Sequence, residues 1–179
     1  MTLFQKLLGR KKNKLQDKKK SIEAMKLIAL ANASAVSFYL PLIDEFPKLT
    51  LISDSGLLND FDTIISTASI GIVMTQVASS FKPNEAQKYM YAINKEIQNW
   101  NTDSSKLIIQ FGHYINNLAS ENKINNLNEL SEAVGAWIFI ELYDNNPHNV
   151  ELEELTNSRE LFFAVGTLIT NTFSNYWNK

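Results

Sequence analysis

Apolar positions recur at helical spacing through most of this 179-residue chain, and prolines and polar clusters divide it into segments of helical length. Leu3, Phe4, Leu7 and Leu8 form one short apolar stripe, which Gly9 should end. From Ser21 to Leu40 strong helix formers follow one another without Gly or Pro, and Pro41 should close that segment. The helix is apolar almost all round from Leu27 onward. Ala29, Ala33 and Ser37 add a stripe of small residues at spacing four, to which another helix backbone can come close. "PLIDEFPKLTLISDSG" reads as connection with about one helical turn, and "KLTLI" within it has the character of a short strand, though no partner strand is evident.

The next helix should run from about Leu57 to Phe81, with no charged residue from Ile64 onward. That length could cross a membrane. Ser66, Thr67, Ser69, Thr75, Gln76, Ser79 and Ser80 argue against it, because so many polar groups are costly facing lipid. A buried central helix is the expectation. After Pro83, a favourable first residue, Ala86, Tyr89, Met90, Ile93, Ile97 and Trp100 share one face of the cleanest amphipathic helix in the chain. Thr102 or Asp103 should cap another, in which Leu107, Phe111, Tyr114, Ile115 and Leu118 point inward, and "ASENKINN" ends it.

The last third contains an internal echo. "NLNELSEAVGAWI" (126–138) and "NSRELFFAVGTLI" (157–169) share Asn, Glu-Leu, Ala-Val-Gly and Ile in register. Asn126 and Asn157 should accept from the first backbone N–H groups of two helices, with Glu129 and Glu160 as reciprocal caps. Gly135 and Gly166 fall two turns inside, where Gly costs about 1 kcal/mol against Ala, so they are expected where two helix backbones cross. Gly71 and Gly112 also fall inside predicted helices and are candidates for the same close packing.

The pattern implies an all-α fold: one irregular or orthogonal bundle of about five to seven helices over residues 21–179, preceded by a basic amphipathic arm over residues 1–20. Composition agrees, with 45% hydrophobic and 20% charged residues, ordinary values for a folded soluble domain. Lysines ahead of "LIALANASA" imitate a secretory signal. The apolar run is too short and the charges lie too far from Met1 for that reading. Cysteine is absent, which removes disulfides, thiolate metal sites and cysteine nucleophiles and fits a cytoplasmic location.

Charge changes the picture more. Residues 1–26 carry nine bases against Asp17 and Glu23, a net of +7, in a chain whose total is -2, so residues 27–179 carry -9. Leu3, Phe4, Leu7, Leu8, Arg10, Lys11 and Lys12 are therefore candidates for contact with an anionic membrane at the inner face of the cell, or with a partner. Nucleic acid is disfavoured, since the acidic body would repel a phosphate backbone.

The chemical inventory is thin. His113 shares a face with Lys106, Gln110 and Asn117, and His148 sits in a polar "YDNNPHNVE" turn. No Glu-x-x-His, His-Glu-x-x-His, Gly-x-Ser-x-Gly or phosphate-cradling glycine loop occurs, so no catalytic, metal or cofactor site is assigned. Glu141 stands out within the most apolar stretch. Burial would raise its pKa and make it a candidate acid, although a surface carboxylate is the commoner outcome. These readings favour a non-catalytic, cytoplasmic protein-binding module, such as an adaptor, regulator or stoichiometric inhibitor, whose acidic surface suits a partner with a basic one. The alternatives are a peripheral membrane protein held by the basic arm, and a small-molecule binder or unusual enzyme using Glu141, or Asp144 with His148.

Overall fold

The computed structural model describes the backbone of residues 3–147 and 150–178, and the side chains of residues 17–147 and 152–178. The chain is an all-α bundle. Its elements are α1 (Leu3–Glu45), α2 (Thr50–Asp54), α3 (Leu58–Thr75), α4 (Val77–Ser80), α5 (Pro83–Trp100), α6 (Thr102–Ser120), α7 (Leu127–Asn145) and α8 (Arg159–Phe173), with short 3-10 turns at Pro47–Leu49, Val150–Glu154 and Tyr176–Asn178. Six of these helices have 15 residues or more, within the expected number.

Helix α3 is the centre. It packs against α1, α6, α7 and α8, and every residue from Ile64 to Val73 is buried. Two of its buried polar side chains are satisfied within the helix, Thr67 and Ser69 donating to the Thr63 and Ile65 carbonyls at 2.7 and 2.8 Å. The helix breaks at Gln76, whose side-chain amide donates to the Ile72 carbonyl at 2.9 Å and to the Phe173 carbonyl at 3.3 Å. The Trp177 indole N–H donates to the Val73 carbonyl at 3.0 Å, so the C-terminal turn closes over the same end.

Helix α1 departs from the expected boundaries. It passes through Gly9 and Pro41 and ends only at Glu45. Pro41 cannot supply the N–H that the Ser37 carbonyl would otherwise accept, but both residues are exposed, so water can serve instead. The expected strand character of "KLTLI" is also absent: the segment is a 3-10 turn followed by α2. Leu49 and Ile52 are fully buried there, and the Tyr39 hydroxyl donates to the Leu49 carbonyl at 2.9 Å, which fastens the turn beneath α1.

Two helix caps differ from expectation by one residue. Asn101, not Thr102 or Asp103, accepts from the Asp103 and Ser104 N–H groups. Ser158, not Asn157, accepts from Leu161, while Asn157 donates backward to the Glu153 carbonyl. Asn126 does accept from the Glu129 N–H, at 3.0 Å. The Glu129 carboxylate accepts from Asn125, one residue before the cap.

The glycines divide by what surrounds them. Helices α7 and α8 form the most extensive interface in the fold. A Cβ on Gly135 would stand 1.9 Å from the Phe162 carbonyl oxygen, and one on Gly166 would stand 1.7 Å from the Ser131 carbonyl oxygen. Backbone meets backbone at this crossing, and the Ser131 and Thr170 hydroxyls bond one another beside it at 2.6 Å. Gly71 is different, because a Cβ there would strike the Phe111 ring at 2.3 Å, a ring that in turn stands edge-on to Trp137. Gly112 does not serve close packing: a Cβ there meets nothing within 4 Å.

These environments set opposite signs for substitution. Gly135→Ala and Gly166→Ala should each cost about 1–3 kcal/mol or more, since backbone cannot yield as a side chain can, whereas Gly112→Ala should gain about 0.5–1 kcal/mol from helix propensity. Urea unfolding of the three variants measures this directly. A neutral Gly166→Ala would be incompatible with the α7–α8 crossing.

Candidate functional site

The inner face of α1 is built from Ala24, Leu27, Ile28, Ala31, Ala35, Tyr39 and Leu42, all buried against the body. Its outer face is not covered by any other described residue of the chain. Ile22, Met25, Val36 and Leu40 are exposed there, the last two at 64% and 72%. Ala29, Ala33 and Ser37 are exposed with them, so the small stripe that the sequence offered to another helix has no helix on it. Lys18, Lys19 and Lys26 stand exposed along one half of this surface, and Asp44 and Glu45 at its far end. The arm residues Leu3, Phe4, Leu7, Leu8, Arg10, Lys11 and Lys12 lie outside the residues whose side chains are described.

Beside this surface, α1 is fastened to α5 by a charged and aromatic cluster. Lys20 is only 7% exposed, lies 3.6 Å from a Glu85 carboxylate oxygen and stands over the Tyr89 ring at 4.5 Å. The Tyr89 hydroxyl donates to Glu23 at 2.6 Å, and Ser21 donates to Glu96. Burial first, then the Glu23 carboxylate it bonds, hold the Tyr89 phenol above its ordinary pKa. Phe81 and Trp177 complete the cluster, with ring centroids 4.4 and 5.0 Å from Tyr89. A groove of about 610 Å³ runs alongside, lined by Asp17, Lys20, Lys88, Tyr91, Lys95 and Glu96 among others. Sequence reasoning missed this cluster, and the only signal for it was the amphipathic face of α5 that carries Tyr89.

Candidates for chemistry are not brought together. His113 is exposed on α6, and His148 lies outside the described residues. Asn146 is used locally, its side chain donating to the Leu142 carbonyl at 3.0 Å. Glu141 is half-buried. Burial raises its carboxyl pKa and Asp144 adds to the rise, while Lys106 and the Trp137 indole oppose it. Asp62, which the sequence did not single out as a site, has one carboxylate oxygen buried without a hydrogen-bond partner among the described residues, and burial raises its pKa too. Among the described residues, no group of three or more His, Cys, Asp or Glu is placed to hold a metal ion.

Two stretches, Asp17–Glu45 and Leu58–Ser80, are long and apolar enough to cross a membrane by length and composition. The second has 67% of its apolar window buried in the fold and the first 39%, which marks Leu58–Ser80 as a core helix and Asp17–Glu45 as a helix with one free side. Comparison with protein-family models, with curated proteins and with solved structures gives no match to this chain. Its function must therefore be argued from these surfaces.

The two raised carboxyls set a pH dependence. A raised pKa in the folded state means that the unfolded chain releases the proton first as pH rises. Stability should then fall from the ordinary carboxylate range up through the raised values, and be fully present only below it. Glu141→Gln and Asp62→Asn, which hold the neutral form, should raise the unfolding midpoint at neutral pH and change it little in acid. Thermal melts at both conditions check this, and equal effects in acid and at neutrality would contradict it.

Proposed function

We propose that the protein acts by binding another protein and not by catalysis. The observation that carries this reading is the outer face of α1, an apolar row on a helix whose opposite face is locked into the core. Exposed apolar side chains rimmed by charge are the composition of a protein interface, with a desolvated centre and a polar edge. Charge describes the partner further. Residues 27–179 carry -9, and exposed acids gather at one end from three elements: Asp44 and Glu45 on α1, Asp54 on α2, and Glu153 and Glu154 in the turn before α8. Lys48 is the base among them, and its ammonium is already engaged by Glu154 at 2.9 Å. A partner with a basic surface beside an apolar strip would match both features. The roles of adaptor, regulator or stoichiometric inhibitor, in the cytoplasm, are all compatible with such an interface.

Affinity capture with the full chain should retain one protein in stoichiometric amount, less of it at high salt. Val36→Lys or Leu40→Glu should abolish the retention, because each would bury an unmatched charge in the contact. Retention unchanged by both variants would remove α1 as the interface. A specific turnover by the purified chain would overturn the non-catalytic reading.

A further inference from the structure

We infer that the protein which α1 binds is a second copy of this chain, laid antiparallel along the outer face of the helix; the inference rests on the protein-binding reading above. Ile22, Ala29 and Val36 recur every seven residues, and so do Lys26, Ala33 and Leu40. All six are exposed, and their alternating spacing of four and three is that of a two-helix seam. At 100° per residue they fall within an arc of about 80°. The buried row of Ala24, Ala31, Ala35 and Leu42 lies on the opposite side, so a copy docked on the seam leaves each body facing outward.

Charge selects the orientation. In a parallel pair each residue would meet its own equivalent: Lys26 on Lys26, Lys18 beside Lys18, and two N-terminal segments of +7 side by side. An antiparallel pair centred near residue 31 instead sets Ile22 against the copy's Leu40, Ala29 against Ala33, and Lys18 against Asp44. The two alanines at the centre allow close approach of the backbones. Lys26 then meets Val36, where its aliphatic stem can cover the contact while the ammonium reaches water. Asp17 and Glu45, the like charges that this register also brings level, fall more than a right angle away from the seam at the same helical turn. Residues 3–16 of the helix would continue past the copy's Glu45, toward the end of the body where Asp54, Glu153 and Glu154 stand exposed. Anionic lipid fits less well, because Asp44 lies on the same face as the apolar row and would be pressed against the negative surface.

The full chain, run through sizing with light scattering and sedimentation at several concentrations, should show twice the chain mass of 20.3 kDa. Lys18→Glu and Asp44→Lys should each weaken the dimer about tenfold at low salt. The double variant should restore it, since both pairs are then re-formed with their signs exchanged. All of these side chains are exposed, so helical circular dichroism should not change. A dimer tightened by Lys18→Glu would overturn the antiparallel arrangement. A monomer whose Val36-dependent capture of a different protein persists would overturn the second copy and leave the protein-binding reading intact. A monomer that sediments with phosphatidylserine-containing vesicles, and fails to do so as Val36→Glu, would overturn both and give the face to lipid.

Discussion

A helix buried on every side carries polar side chains at least cost where it satisfies them itself, and this constraint shapes the bundle around α3. Its neighbours α1, α6, α7 and α8 offer it mainly apolar side chains. Thr67 and Ser69 therefore turn their hydroxyls onto carbonyls one turn back in their own helix. At these two positions the helix can then be surrounded without a neighbour having to supply a matching polar group. Where that self-sufficiency ends, at Gln76, the fold changes its means. The amide of Gln76 and the indole of Trp177 reach carbonyls that the broken helix and the end of α8 would otherwise leave open.

The α7–α8 pair is held by a different constraint, the absence of two Cβ atoms. The repeated Ala-Val-Gly places Gly135 and Gly166 where each helix touches the other's backbone, and neighbouring Ser131 and Thr170 pair across the same contact. The repeat thus has a geometric meaning at its glycines, whereas its N-terminal halves diverge: one helix is capped by Asn126 and the other by Ser158. Gly112 also lies inside a helix, and a Cβ there would meet nothing within 4 Å. Periodicity gives the face on which a glycine lies but not whether another helix crosses at that height. That information belongs to the tertiary arrangement.

Other parts of the molecule were legible to different degrees for similar reasons. Burial on one face was readable wherever the apolar spacing was clean, as in α5, whose Ala86, Tyr89, Ile93 and Ile97 are buried as the pattern implies. Helix ends were less readable. Pro41 looked like a stop, and it would have been one had Ser37 pointed into the core, but the exposed side of a helix tolerates a missing hydrogen bond. Asn101 and Ser158 took the caps because each stands immediately before the first helical residue, Thr102 and Arg159, where a side-chain oxygen can turn back onto the free N–H groups. Of the cluster of Lys20, Glu23, Glu85 and Tyr89 only the inward face of Tyr89 could be read. Lys20 and Glu23 lie more than sixty residues from Glu85 and Tyr89, and the three charged members look like ordinary surface in their own segments.

The same limit explains why α1 was the hardest helix to read and is the most informative to see. From Leu27 to Ile43 it is apolar almost all round, a composition that in isolation belongs either to a core or to a membrane. The fold uses only half of that circumference. The charged cluster with α5 fixes which half, since burying Lys20 against the Tyr89 ring turns Ile22, Val36 and Leu40 away from the body. An apolar face so determined cannot be withdrawn by rotating the helix without breaking the Lys20, Ser21 and Glu23 contacts together. Leaving it in water is costly by the ordinary hydrophobic term. The uneven charge of the chain follows the same axis, with bases at the start of α1 and acids around its end. Surface and charge on this helix are therefore two properties of one element, and an account of what the protein binds has to satisfy both at once.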